Sequence, residues 1–510
     1  FLAEQSRLTA VEKFSQRHCR DALPAQAKFY RDLIPLNKPK AGEQYAFEVN
    51  LDKCSGCKAC VSACHSLNGL DDGEAWREVG LLFSDDHRQP FQQNITAACH
   101  HCENPACLSG CPVLAYDKDG ATGIVRHLDD QCIGCQYCVM KCPYEVPKYS
   151  ASRGIVRKCD MCTNRLAVNE APACVQACPH EAIRITLVET KVVLNGIREP
   201  HAATQLPFAP DPAITFPTTR YVSKLPLPDR LLAADHAQVR PSKSHLPLVF
   251  MLVLTQLSVG ASVSSMLLGD AKRLALSAPV MGAFALGIAS FHLGKPLKAW
   301  RAFLGWRRSW FSREIIVFSA YMPLAAVYAA TFWIEPLIGL QKPLAIAAAI
   351  TGVLGVVCSA MIYADTHRDF WNAPRAFGKF FGTTLLLGAA ATLAVVGNRP
   401  EIAALVLIAT IAKLASEHRI FRHLVDEETP RLSPLNKTAR LLAGQLGLVA
   451  RLRIAVGLFG GVALPISLLV KETPGLEWIV LAGCIAGELL ERFLFFTAVA
   501  PRKMPGGIAA

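Results

Sequence analysis

Two hydropathy patterns divide the chain. From residue 246 onward, apolar positions gather into eight long runs: 246–268, 274–293, 314–335, 343–363, 379–397, 400–415, 452–470 and 477–499. Most approach the roughly 20 residues that an α-helix needs to cross the hydrocarbon of a bilayer. Eight such runs in succession predict membrane helices rather than a buried soluble core. The sixth is short and can be continued by the helix-like stretch through His418 to Leu424, and only Gly397–Pro400 separates it from the fifth. Residues 1–245 carry no comparable run. Residues 1–48 read as a charged, helical extension ending near Pro39 and Gly42, and 49–199 as a globular domain. Residues 200–245 read as an extended linker, because nine prolines from Pro200 to Pro247 exclude long helices.

Composition sharpens this division. A mean hydropathy of +0.27 with 52% hydrophobic residues is high for a wholly soluble chain. Residues 1–240 balance 27 Lys and Arg against 27 Asp and Glu, whereas 241–510 carry 26 against 14. The net charge of +12 therefore belongs to the apolar half. Nucleic-acid binding, which needs a basic face on the soluble part, is excluded. The loops after the second, fourth and sixth runs, with the C-terminal tail, hold more Lys and Arg than the opposite loops. By the positive-inside rule this predicts a multi-pass protein of the cytoplasmic (inner) membrane, with the N-terminal domain and the C-terminus on the cytoplasmic side. No secretory signal is legible, and the chain opens on Phe1.

Of 19 cysteines, 16 lie between Cys54 and Cys178. They form four groups: Cys54, Cys57, Cys60 and Cys64; Cys99, Cys102, Cys107 and Cys111; Cys132, Cys135, Cys138 and Cys142; Cys159, Cys162, Cys174 and Cys178. Three of the groups end in Cys-Pro. A C-x2-C-x2-C loop lets three thiolates reach three corners of one iron–sulfur cube, while the fourth cysteine ligates the other cluster of a pair. Zinc calls for two separated C-x2-C pairs, and disulfides within such short loops are badly strained. The pattern predicts [4Fe–4S] clusters. His100, His101 and Tyr137 read as packing residues around the clusters, and Cys19, Cys358 and Cys484 as ordinary small apolar side chains.

The run from Cys99 through His100, His101, Glu103, Asn104 and Pro105 to Cys107, the run Cys132-Ile133-Gly134-Cys135-Gln136-Tyr137-Cys138, and Lys158-Cys159-Asp160-Met161-Cys162 resemble the four-cluster subunits of molybdopterin oxidoreductases of the dimethyl sulfoxide reductase family. The resemblance implies an α+β, ferredoxin-like domain of two βαβ repeats. It implies four [4Fe–4S] clusters: Cys54, Cys57 and Cys60 with Cys178; Cys159, Cys162 and Cys174 with Cys64; Cys99, Cys102 and Cys107 with Cys142; and Cys132, Cys135 and Cys138 with Cys111.

The apolar half, 246–510, resembles the eight-helix membrane anchor of the same family. His292-Leu293-Gly294-Lys295-Pro296, Ser309 through Glu314, and Arg492 through Phe496 carry that resemblance. It implies an all-α membrane domain with a quinone site at His292 and Glu314. Ionisable groups in membrane segments mark functional positions, and Tyr363, Asp365, His367, His418, Glu488, Glu491 and Arg492 gather toward the same edge. Haem is not expected, since His292, His367, His418 and His423 share that edge instead of facing each other at mid-depth. Together the two resemblances predict a fused electron-transfer and anchor subunit. It would join a separate molybdopterin-containing catalytic subunit to the quinone pool, substrate conversion lying on the other chain. A cytoplasmic cluster domain fits the sulfite dehydrogenase-like branch. The alternatives are the equivalent subunit of a formate dehydrogenase- or hydrogenase-type complex, or a non-redox assembly protein with structural clusters.

Overall fold

The computed structural model describes residues 30–507 except 85, 87, 89, 197–205, 229, 270, 426–432 and 472. The extension expected over 1–48 falls largely outside the described residues, as does Cys19. The cysteine domain runs β1 (Glu43–Asn50), α1 (Ala59–Asn68), β2 (Glu78–Ser84), β3 (Gln92–Ala97), α2 (Ala106–Gly110), the hairpin β4 (Tyr116–Lys118)–β5 (Val125–His127), and α3 (Tyr137–Lys141). It continues through the hairpin β6 (Lys148–Ser150)–β7 (Ile155–Arg157), α4 (Thr163–Ala167), α5 (Ala173–Gln176), β8 (Ile183–Glu189) and α6 (Thr190–Gly196). Strand β1 is covered on both faces, and it pairs antiparallel with β8, setting Phe47 opposite Ile185. Helix α1 ends where Gly69 takes a left-handed φ of 52° and donates its N–H to the His65 carbonyl, a conformation that favours glycine.

The proline-rich segment holds no long helix among its described residues, yet it does more than connect. It lays β9 (Arg220–Val222) parallel to β1 and β10 (Leu231–Ala233) antiparallel to β2. Prolines bracket both strands and leave three-residue windows in which the backbone can still pair.

The apolar half is helical: α7 (Leu246–Leu268), α8 (Lys272–Ala289), α9 (Trp310–Ala330), α10 (Gln341–Ala364), α11 (Ala373–Val396), α12 (Pro400–His418), α13 (Pro434–Ala443), α14 (Gly447–Leu458), α15 (Leu464–Val470) and α16 (Leu476–Thr497). Six segments among the described residues are long and apolar enough to cross a membrane: Leu246–Leu268, Lys272–His292, Trp310–Ala330, Glu335–Ala364, Ala373–Val396 and Gly447–Val470. The last joins α14 to α15 through a π-helical turn, Phe459–Ala463. Helices α12 and α16 stand at the positions of the expected sixth and eighth spans. They fall outside that group because charged residues interrupt them: Glu401, Lys413 and Glu417 in one, Glu488, Glu491 and Arg492 in the other. Helix α7 is the most enclosed, packing against α8, α10 and α11. Gly260 lets it touch α11 backbone to backbone, since a Cβ there would lie 2.4 Å from the Thr384 carbonyl oxygen.

The basic loop 294–313 is the seat of the cysteine domain. Lys295 N–H donates to the Ile133 carbonyl (3.1 Å), Gly305 N–H to Pro112 (2.8 Å), and Ser309 Oγ to Gly110 (2.7 Å). Lys298 and Arg301 both donate to the Asp130 carbonyl. From the next loop on the same side, Lys141 pairs with Asp365 and Arg368 donates to the Met140 carbonyl. Three glycines set the distance: a Cβ at Gly294 would lie 2.0 Å from the Gly154 oxygen, and one at Gly134 would lie 2.4 Å from the same atom.

Gly294→Val therefore forces the two halves apart at this turn. We expect a loss of about 1–3 kcal/mol from overpacking, read as a lower melting temperature of the solubilised protein. Gly287→Ala, where a Cβ meets nothing within 4 Å, should leave it unchanged.

Candidate functional site

Left-handed residues bend the cysteine loops so that successive thiols face a common centre. They are Gly56 and Lys58 in the first loop, Gly134 and Gln136 in the third, and Met161 and Cys162 in the fourth. The third and fourth thiols of each group ride on or beside the short helices α1, α2, α3 and α5, one turn apart. Backbone amides point at sulfur: Ala115 N–H donates to Cys111 Sγ (3.2 Å), Ala182 N–H to Cys178 Sγ (3.3 Å), Gly134 N–H to Cys132 Sγ and Met161 N–H to Cys159 Sγ (both 3.4 Å).

Folding mixes the four sequence groups. The thiols acting on Cys54 are Cys60, Cys178 and Cys57, and those acting on Cys64 are Cys174 and Cys162. Cys99 and Cys142 act on Cys102, and Cys135, Cys111 and Cys132 act on Cys138. The sets adjoin in a row. Cys174 acts on Cys60, Cys99 acts on Cys159, and both Cys138 and Cys107 act on Tyr116. One end of the row reaches solvent at Cys57, while Cys132, Cys135 and Cys138 at the other end are buried against the helices.

These donors suit iron–sulfur clusters. Burial, then the neighbouring Cys174, pushes the Cys64 thiol up to about 12, so that a cationic centre is needed to draw off its proton. Among the described residues no three His, Cys, Asp or Glu side chains close on a single metal ion; four thiolates around a cluster need not do so, since each binds a different iron. Two buried cations point to negative charge at the sulfurs. Arg77 is 2% exposed, donates Nη1 to Thr96 Oγ1 (3.2 Å), and leaves Nη2 without a partner. Burial would lower its pKa, but Cys174, Cys60, Cys159 and Cys64 hold it above the usual guanidinium value. Lys158, 3% exposed, touches Cys99 Sγ at 3.5 Å and two carbonyls, and is likewise held up by Cys99, Cys107 and Cys159 against its burial. Burial and then Arg77 bring His100 down to about 3, and burial with Lys158 also holds His101 well below the usual imidazole value. Both imidazoles are neutral. His101 Nδ1 accepts from Val125 N–H, and His100 lies edge-on to Tyr144.

The third cysteine group borders a cavity of about 310 Å3 between the two halves. Its walls include Ile133, Met251, Trp300 and Phe318, with His292 and Glu314 as the ionisable groups. His292 Nε2–H donates to the Cys135 carbonyl (3.2 Å), and His245 packs edge-on to its ring at 5.0 Å. Glu314 is 5% exposed and accepts from Ser359 Oγ. Tyr137 lies on the other side of the same seam, its hydroxyl donating to the Ile362 carbonyl (3.0 Å). Cys358 and Cys484 are buried within helices. Asp365 serves docking through Lys141, and Glu488, Glu491 and Arg492 join a buried charge network.

Sequence reasoning missed Arg77, His245, Lys413 and Arg453. Lys413 and Arg453 were findable, as charges at the edges of apolar runs. Arg77 carries no local signal.

A row of sulfur sites seated on a helical bundle beside an apolar cavity defines an electron-transfer module on a membrane anchor. Residues 91–187 match the 4Fe-4S dicluster domain, and residues 242–497 match the DMSO reductase anchor subunit, DmsC. The cysteine half is 36% identical over 154 residues to the probable anaerobic dimethyl sulfoxide reductase chain YnfG of Escherichia coli, covering 29% of this chain and 75% of that one. It is 36% identical over 144 residues to the thiosulfate reductase electron transfer subunit PhsB of Salmonella typhi (28% and 74%), and 31% over 174 residues to the formate dehydrogenase-O iron-sulfur subunit of Escherichia coli (31% and 57%). The chain belongs to the dimethyl sulfoxide reductase family, with the iron–sulfur subunit and the anchor subunit joined in one polypeptide. It is an electron-transfer and membrane-anchor subunit.

Arg77→Met leaves the surrounding thiolates without their buried counter-charge. Breaking such a pair costs about 3–5 kcal/mol. The variant should retain less iron per chain and melt lower than the parent, while the exposed Arg153→Met should do neither.

Proposed function

We propose that the chain relays electrons through four [4Fe–4S] clusters between a molybdopterin-containing catalytic subunit and quinone, with its cysteine domain on the cytoplasmic side of the inner membrane. The observation that carries this reading is His292: its Nε2–H binds the carbonyl of Cys135, and its ring lines the same cavity as Glu314. A quinone headgroup there would lie beside the last sulfur set with an imidazole and a carboxyl within reach. The sixteen cysteines named above would hold the clusters in the four sets that the family resemblance implies, and the clusters would supply one-electron steps. The chain's own residues do the rest. They hold the loops, compensate charge through Arg77 and Lys158, enclose the cavity with apolar walls, and accept and release protons at His292 Nδ1 and the Glu314 carboxyl. The exposed end at Cys57 is where the catalytic subunit would dock.

Three measurements test this. Iron analysis should give about sixteen iron per chain by four-cube arithmetic; a three-iron EPR signal in fresh protein would count against it. Protease cleavage in sealed inside-out vesicles should reach both Arg431 and the cysteine domain, and protection of either would reverse the topology. His292→Ala or Glu314→Gln should slow cluster–quinone exchange about a hundredfold or more, the usual contribution of a general acid–base group, with cluster spectra unchanged. Wild-type rates in both variants would sink the quinone site.

A further inference from the structure

A second ionisable cluster lies inside the helical half, apart from the His292–Glu314 cavity. Glu488 on α16 pairs with Lys413 of α12 (3.1 Å) and Arg453 of α14 (2.9 Å), and Arg453 also pairs with Glu417 (3.0 Å). Glu491 pairs with Lys379 of α11 and with Arg492 (3.6 Å). Thr383 joins the two halves, donating to Glu488 (2.5 Å) and accepting from Lys413 (3.0 Å) and Arg492 (3.3 Å). Four cations thus face three carboxylates. The cluster opens at one end into a cavity of about 270 Å3, whose lining includes Lys379, Glu417, Glu491 and the exposed Arg419 and Arg422. That cavity lies on the iron–sulfur side, where Arg375, also in its wall, donates to Asp369 of the loop that docks Met140 through Arg368.

At its inner end sits Arg492, 0% exposed. Its Nη2 donates to Gln256 Oε1 (3.2 Å), while Nε, Nη1 and the neighbouring Gln256 Nε2 have no protein partner. Buried polar atoms of this kind are ordinarily satisfied by water, and a guanidinium that keeps its own proton orders such water without consuming it. Tyr363 lies one helical turn beyond Ser359, which donates to Glu314, and both the Tyr363 ring and the Arg492 guanidinium pack on Phe380 (5.6 and 4.2 Å); Glu314 faces the other cavity.

We propose that Glu491 and Tyr363 relay protons between the cavity on the iron–sulfur side and Glu314, through water ordered by Arg492. This rests on the quinone reading given above and adds its proton route. Each quinone reduced to quinol takes two electrons from the sulfur row and two protons through this route, and quinol oxidation returns both. Lys379 and Arg453 are positioning residues that hold the carboxylates in line.

The test uses the full chain in membranes, with clusters reduced by dithionite and reoxidised by a short-chain quinone or by ferricyanide, which takes no proton. Glu491→Gln and Tyr363→Phe should slow oxidation by quinone roughly tenfold or more, raise its solvent isotope effect, and leave oxidation by ferricyanide unchanged. Glu491→Asp, or added acetic acid, should restore much of the rate. If both variants match wild type while His292→Ala is slow, the route is wrong and the quinone site stands. If His292→Ala is also unimpaired, the quinone reading itself has failed. Equal slowing with ferricyanide, or loss of clusters, would make the network a helix clamp and overturn the proposal.

Discussion

The close approach of three backbone segments at Gly134, Gly154 and Gly294 is the constraint on which the arrangement depends. No side chain fits between them, since a Cβ at Gly294 would meet the Gly154 carbonyl at 2.0 Å. The turn after His292 therefore lies directly against the third cysteine loop. One residue further on, Lys295 N–H takes the Ile133 carbonyl, and His292 takes that of Cys135. Electron transfer requires short distances, and a fused chain does not supply them by itself. A linker of some 40 residues would leave the halves loosely related, as flexible chains do. Backbone contact and the carbonyl-bound basic loop do what the linker cannot.

Charge is handled in the same way in both halves. A buried ion is costly unless paired, and neither domain avoids the cost. In the cysteine domain, Arg77 and Lys158 find sulfur where most buried cations find carboxylate. In the helical domain, Lys413, Arg453 and Lys379 find Glu488, Glu417 and Glu491 on neighbouring helices. Arg492 pairs with Glu491 and lies over the Phe380 ring, and like Arg77 it keeps guanidinium nitrogens without a protein hydrogen-bond partner.

Basic loops have two roles here. Lys295, Lys298 and Arg301 belong to the excess that orients a membrane protein during insertion. After folding, the same residues bind carbonyls of the cysteine domain. The Lys298 and Arg301 side chains and the Lys295 backbone amide thus hold the cysteine domain against this loop.

The sequence by itself determined the two halves, the helical character of the second and the sulfur chemistry of the first, while His292 and Glu314 entered as candidates through the family resemblance. Those features are local: apolar runs, C-x2-C loops, and short motifs around His292 and Glu314 are complete within a few residues. The family resemblance, not local pattern, implies that Cys54 joins Cys178 and Cys102 joins Cys142, and the tertiary structure brings these distant thiols within electrostatic reach of one another. It also turned the proline-rich segment into β9 and β10, since a three-residue strand leaves no periodic signal and exists only where an edge awaits it. Charged residues moved furthest from their sequence reading. Glu491 and Arg492 stand out in the sequence as charges in an apolar run, but their partners Lys379 and Gln256 do not, and Arg77 carries no local signal. Burial follows from local pattern, but the compensation of a buried charge depends on atoms that the chain brings in from elsewhere.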